Sequence, residues 1–431
     1  MVAHLGAYFC KLYKIRSPFM LKIPSTHTFT TVLAITFAIF SSRSFAMQEN
    51  KNTVAGMNIE NLRASGYRLD WMNQSNSTGL RLPTITEDSI YTIDSEDFIT
   101  RYELETGKWL WSAPAGNQVF SIRSINEAAS HDYVYIVSDG AVYVLERETG
   151  NQPASPSKSD PTSTKVKSLL PLDWVANTGA ITPTKELLIY GSSKGDVVWF
   201  DPTIGFATKK YKIGSIVRVQ PTFAEGPRTT GGQTRKVIIS SAVDGQVFAV
   251  DLMQASKNWS LQLTNPVETE IICATQKTPF EDEKLPRTSA FIAGTDQYVR
   301  SIDLHTGKHR WKFLTSAHLV DSPTVINEKL YQRIPGIGLA SFNAFPRNLS
   351  GEQNWVAKDV LGNVITTTKN GQLVCWDEKA HLLQIVDQRK GGIVSTLSVP
   401  SAKELITDST SEGSIYILTQ DNGLLRLVSR Q

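Results

Sequence analysis

Cysteine is scarce in this chain: Cys10, Cys273 and Cys375 are the three in 431 residues, and no two are adjacent. That excludes a small disulfide-stapled scaffold. Cys273 and Cys375 stand 102 positions apart with nothing to bring them together, so they read as buried strand thiols rather than a bridge. Histidine is sparse too, with seven in the chain, and His305, His309 and His318 form the one grouping. Without a fourth ligand at supporting spacing they read as solvated turn and strand residues, not a metal site. No G-x-S-x-G, P-loop, H-E-x-x-H or Rossmann glycine pattern is present, and Gly336-Ile337-Gly338 reads as a hairpin turn. No catalytic, cofactor-binding or metal-binding residue can be nominated.

The chain also lacks a hydrophobic run long enough to cross a bilayer comfortably. Its longest uncharged apolar stretch, residues 29–40, follows Lys11, Lys14, Arg16 and Lys22 and precedes Ser44-Phe45-Ala46. This is the layout of a secretory signal peptide over residues 1–46, and a start at Met20 would shorten its long basic region. No cysteine directly follows the apolar stretch, so no lipid-attachment site is expected. Without residues 1–46 the chain holds 39 basic and 41 acidic residues, a net charge of −2, and no basic field argues for nucleic acid. Asn73, Asn76, Asn258 and Asn348 match the glycosylation acceptor pattern, as chance allows in a Ser/Thr-rich chain.

What is present is repetition. An alternating strand, a tight polar turn, a second alternating strand, an acid, Thr-Gly and a Trp recur along the chain. In three copies the acid stands eight positions before the Trp: Glu103 before Trp111, Asp251 before Trp259, and Asp303 before Trp311. Turns near residues 96, 140, 195, 245, 296, 337, 371 and 423 make eight units with a mean spacing of about 47 residues. Asp-Gly and Asn-Gly supply the positive φ that two-residue hairpins require. Three to four strands per unit at that spacing predict an all-β, eight-bladed propeller of four-stranded antiparallel blades over residues 67–431. The last unit ends without its own Trp strand, whereas residues 67–74 carry an orphan one with Trp71, so that strand is expected to complete the eighth blade. Residues 47–66 read as a flexible leader, and residues 152–167, rich in Pro, Ser and Lys, as a solvated insertion in the outer hairpin of blade two.

The unit Asp303, Thr306, Gly307, Trp311 resembles the tryptophan-docking repeat of the PQQ-type propellers, as does Glu103, Thr106, Gly107, Trp111. The resemblance implies that each blade's Trp lies flat on the Thr-Gly turn of a neighbour, with Trp71, Trp111, Trp174, Trp259, Trp311 and Trp355 in that role. Blades three and seven depart from the pattern, with Tyr211 and Leu382 or Leu383 near the expected place. The repeat specifies a fold rather than a function.

Two groups share that fold: quinoprotein dehydrogenases, and non-catalytic propellers such as the outer-membrane protein assembly factors of the BamB type. The first group needs a cation-supported quinone and, in most members, a vicinal cysteine pair, which is missing here, so neither PQQ nor another cofactor is expected. Size, export signal and blade number resemble the second group more. Residues 320–323 are similar to a strand-entry segment on the partner-binding side of those proteins, and the resemblance carries over Asp321 alone. The expected function is therefore an exported, non-catalytic scaffold, periplasmic and associated with the outer membrane through envelope partners such as the β-barrel assembly machinery. The alternatives are a PQQ-dependent dehydrogenase and a small-ligand sensor.

Overall fold

The computed structural model describes residues 53–116, 120–154, 167–228, 234–283 and 285–430. Residues 1–46 and the middle of the blade-two insertion lie outside the described residues. The rest forms eight four-stranded antiparallel sheets and one small two-stranded sheet. In blade one the strands run outward in chain order: Arg81–Ile85, Ser89–Ile93, Phe98–Glu103 and Trp109–Pro114. Blades two to seven repeat that order. The middle strands are buried on both faces and read as near-continuous apolar runs, such as Ser89–Ile93 and Ile415–Thr419.

Apolar packing is divided between neighbours. Among the described residues there are eight hydrophobic clusters, one at each blade boundary. Ile90, Tyr102 and Leu104 of blade one pack with Tyr416 and Leu424 of blade eight, so the ring of contacts is continuous. Blade eight is built from Ala402–Thr407, Ile415–Thr419 and Gly423–Ser429, and its outer strand is Tyr67–Gln74, paired antiparallel with Gly423–Ser429.

The expected turns near 96, 140, 195, 245, 296, 337 and 423 each join the second and third strands of a blade. The turn near 371 does not. Asn370-Gly371 joins the first two strands of blade seven, Asn363–Thr367 and Leu373–Asp377. Asp377, whose Oδ1 accepts the amides of Lys379 and Ala380, resembles a docking-turn acid locally but lies one hairpin too early. The true counterpart is Asp387, which accepts the amides of Arg389 and Lys390. Eight positions on, Ser395 holds the Trp register, so neither Leu382 nor Leu383 does.

That substitution has a structural reason. A Trp on blade seven would need a docking turn from blade eight, whose third and fourth strands come from opposite ends of the chain and share no turn. The space is filled from the segment expected to be a flexible leader. Residues 53–58 form a hairpin that leads into the helix Ile59–Ala64, capped by the Asn58 side chain on the amides of Glu60 and Asn61. Met57 and Leu62 are buried with Leu383, Leu397 and Val399 of blade seven and Leu425 and Leu427 of blade eight. The Ser401 hydroxyl donates to the Ala55 carbonyl at 2.7 Å. Leu62→Ala is expected to cost about 2–5 kcal/mol by opening this boundary. A denaturant midpoint equal to that of the unaltered chain would remove this segment from the fold's stabilising parts.

Candidate functional site

The side-chain contacts that recur most regularly are the tryptophan docks. Trp71, Trp111, Trp259, Trp311 and Trp355 lie on outer strands, and each indole N–H donates to a carbonyl of the next blade: Leu104, Arg147, Leu304, Ala344 and Gln388, at 3.2, 2.8, 2.7, 3.0 and 3.2 Å. Each ring covers a glycine of that blade. A Cβ on Gly107 would sit 2.4 Å from the Trp71 ring, and one on Gly307 would sit 2.7 Å from Trp259. Both glycines also have positive φ, so close approach and backbone conformation each demand the missing side chain. Asp303 holds its turn by accepting the amides of His305 and Thr306, and the Thr106 and Thr306 hydroxyls accept the amides of Lys108 and Lys308.

Besides the boundary of blades seven and eight, two boundaries use other residues. At the second, Trp174 does not dock: Leu170 stands against Gly205, while Trp174 is half-buried with the Lys210 ammonium 4.8 Å from its ring centroid. The insertion displaces the outer strand, which re-enters only at Leu169, so the Trp comes too late in the chain. At the third, Lys209 rather than Tyr211 pairs opposite Trp199, and its ammonium reaches the Met253 carbonyl of blade four. The indole bond there comes from Trp199 on the third strand, 2.7 Å from the Leu252 carbonyl. Lys209 stands eight positions after Asp201, so the register could have found it; nothing in the repeat marks Trp199 or Leu170.

These contacts are structural, and the candidate surface lies elsewhere. Turns between second and third strands share one face with the connectors that enter each new blade. In each connector a buried aliphatic residue is followed by an outward one. In blades one, two and four the outward residue is Arg81, Arg123 or Arg218, the first two paired with Asp97 and Asp139 of their own blades' turns. In the connectors into blades six and seven it is Val320 and Leu361, 55% and 51% exposed, following Leu319 and Val360, which are fully buried. Ile337, 37% exposed, occupies the turn of blade six. Blades six and seven thus present three exposed apolar side chains where the connectors into blades one and two present arginines paired with turn acids.

Asp321 sits inside this sector but is not free. Its Oδ2 accepts from Arg333 Nε at 2.8 Å, its Oδ1 accepts from Asn363 Nδ2 at 2.9 Å, and its side chain is only 16% exposed. Asp321, Arg333 and Asn363 line a cavity of about 270 Å³ with Leu361, Trp376 and Lys379. Asp321 therefore fastens the connector to blades six and seven.

The three histidines are not brought together as ligands. His305 and His309 flank the docking turn of blade five, whereas the His318 ring contacts the Thr295 carbonyl on the connector side. Burial, then the nearby Arg300 and Lys312, holds His309 below its ordinary pKa. Among the described residues no three His, Cys, Asp or Glu side chains form a cluster that could hold a metal ion. Cys273 and Cys375 are unpaired, and burial pushes the Cys273 thiol up to about 12.

The comparisons with known proteins agree with this geometry. The family model described as "Outer membrane protein assembly factor BamB" matches residues 54–169. No curated protein sequence matches the chain. Among solved structures, BamB from Moraxella catarrhalis is similar with a TM-score of 0.57 at 13% identity, over 84% of this chain and 97% of that one. The computationally designed Ika8 protein is similar with a TM-score of 0.59 at 12% identity, over 84% of this chain and 99% of that one. At such identities the likeness is one of fold, and a designed protein scores as well as a natural one. The chain is an eight-bladed β-propeller that resembles the PQQ-type repeat family and, within it, BamB.

Proposed function

We propose that this protein is an exported, non-catalytic scaffold of the cell envelope that binds partner proteins in outer-membrane protein assembly. The observation that carries the reading is the group of exposed apolar side chains Val320, Ile337 and Leu361 on the connector face of blades six and seven. Connectors held by a rigid ring present such side chains with little ordering cost, which suits protein binding. The BamB-like fold supports the same class of partner, an envelope protein of the β-barrel assembly machinery, and a periplasmic location at the outer membrane. The sequence holds no vicinal cysteine pair of the kind that a resemblance to quinoprotein dehydrogenases would imply, so we favour the scaffold over a dehydrogenase.

Asp321→Arg is a poor probe of this surface, because it would set a second guanidinium beside Arg333 and break a structural tie. The exposed residues are better. The unaltered chain, used as bait in an envelope extract, is expected to recover an outer-membrane assembly protein, and Val320→Glu/Leu361→Glu is expected to lose it without a change in thermal midpoint. Retention of the partner by the double variant would move the interface off this sector. Recovery of no partner by the unaltered chain would reduce the reading to a statement about fold.

A further inference from the structure

The outer rim where blades eight and one meet departs from the repeat at two places, and both departures line one cavity. On other outer strands the second residue after the docking Trp is apolar: Ala113, Leu261, Phe313 and Ala357. After Trp71 it is Asn73, and Ser75 follows at the place where Ala115 and Leu263 are buried in blades one and four. Two positions before the docking Trp, blades four, five and six carry Lys257, His309 and Gln353, paired with Val250, Ile302 and Phe342. Blade one carries Trp109 there, paired with Tyr102 and 54% exposed.

The cavity measures about 400 Å³, a size that suits a small ligand. Three side-chain amides, four serine or threonine hydroxyls, Tyr102 and Trp109 line it, and none of these is charged. The cavity at Asp321 differs in carrying Arg333, Glu378 and Lys379. Several of the polar groups are held in place with bonding capacity to spare. Asn73 Nδ2 donates to the Gly107 carbonyl at 2.8 Å, which leaves its Oδ1 without a donor among the described residues. The buried Thr100 hydroxyl donates to the Ser112 hydroxyl at 3.0 Å, so the Ser112 O–H is left to donate to a ligand. No hydrogen bond, aromatic ring or cation engages the Trp109 side chain among the described residues. That sets Trp109 apart from the docking tryptophans, each of which is bonded to the next blade.

A sugar ring has C–H bonds on its faces and hydroxyls around its edge. The negative face of an indole attracts the C–H bonds, while neutral amides and hydroxyls donate to and accept from the edge without desolvating an ion. A charged ligand would find no counter-ion in the lining, and an aliphatic one would leave the amides unpaired. We infer that the groove between blades eight and one binds a neutral saccharide, stacked on Trp109 and hydrogen-bonded to Asn73 Oδ1 and the Ser112 hydroxyl. The site belongs to blades eight and one, whereas Val320, Ile337 and Leu361 belong to the connectors and turn of blades six and seven. It does not depend on the function proposed above.

The test is calorimetric titration of the full chain with two neutral trisaccharides, maltotriose and triacetylchitotriose. Trigalacturonate and triglycine serve as an anionic sugar and a neutral peptide of similar reach. The expected result is binding of at least one neutral trisaccharide with a Kd of about 1 mM or below, and of neither control. Trp109→Ala should weaken it at least about tenfold, and Trp109→Phe, which keeps an aromatic face, no more than about threefold. Ser112→Lys places in the groove the residue that blade five carries as Lys312, and it should abolish binding with the thermal midpoint unchanged. Failure of both neutral trisaccharides to bind would overturn the inference. So would binding that either Trp109→Ala or Ser112→Lys leaves unchanged, or triglycine or trigalacturonate bound as tightly as the sugars.

Discussion

Replacing Trp311 by alanine is expected to lower the stability of the propeller by about 3–5 kcal/mol, the range for deleting a large buried aromatic. Trp311 is fully buried, with ring centroids of Phe291 and Phe342 at 6.3 and 6.2 Å. Its indole N–H serves the Ala344 carbonyl, and its ring covers Gly351. Alanine would leave a cavity at the boundary of blades five and six and an unmet acceptor in it. Trp311→Phe keeps much of the volume and removes mainly the hydrogen bond, so about 1–2 kcal/mol is expected. Trp71→Ala should fall below Trp311→Ala, because Trp71 is only partly buried. Guanidinium unfolding of the three variants checks the order. Equal losses for Trp71 and Trp311 would mean that docking geometry, rather than burial, sets the energetics.

Arg147→Ala is expected to cost a similar amount, about 3–5 kcal/mol, for a different reason. Its Nε lies 3.1 Å from Glu127 Oε1, and the two side chains are 6% and 2% exposed. The same carboxylate oxygen accepts from the Tyr91 hydroxyl at 2.7 Å and the Thr86 hydroxyl at 3.0 Å. The guanidinium also holds Glu148 at 2.6 Å and contacts Asp88. Burial alone would lower the Arg147 pKa, but the Asp88 and Glu127 carboxylates outweigh it and hold the guanidinium above its ordinary value. Deleting it strands Glu127 as a buried anion without its cation. Arg147→Met/Glu127→Gln, which removes both charges and keeps an acceptor for Tyr91, is expected to recover most of the loss.

Acid offers an independent readout of the same network. Burial raises the Asp88 pKa, but hydrogen bonds from Arg147 and Ser89 outweigh it, leaving Asp88 below the usual carboxylate range. A carboxyl depressed in the folded state contributes stability above its unfolded pKa, and that contribution is lost as pH falls through the folded value. The gap between unaltered chain and Arg147→Ala should therefore narrow below about pH 4. A gap that stays constant to the acid limit would show that Asp88 is not coupled to Arg147.

Much of the docking girdle was legible because it is written in register. An acid eight positions before a Trp places that ring over the next blade's turn, and Trp111, Trp259 and Trp311 stand there. The pattern misled where one local signal serves two places. Asn370-Gly371 makes a hairpin wherever it falls, and only the pairing of Asn363–Thr367 with Leu373–Asp377 shows that it is the first hairpin of its blade. Trp174 failed as a dock because the insertion shifted the chain relative to the turn it should cover. The candidate face was less legible still. Asp321 could be singled out by resemblance, but its partners Arg333 and Asn363 lie 12 and 42 positions away.

The sequence by itself determined the class of fold, the number of repeats and the Thr-Gly docking turns, because each is set by contacts between residues within one unit or in matching places of adjacent units. Only the tertiary structure decided what happens where the repeat is broken. The boundary of blades seven and eight has no docking turn, and Met57 and Leu62 close it from the other end of the chain. The Glu127 and Arg147 network joins blades one and two, and Val320, Ile337 and Leu361 come to one sector of one face. Each of these depends on which side chains the ring brings together across long separations, and a period of about 47 residues holds no record of that.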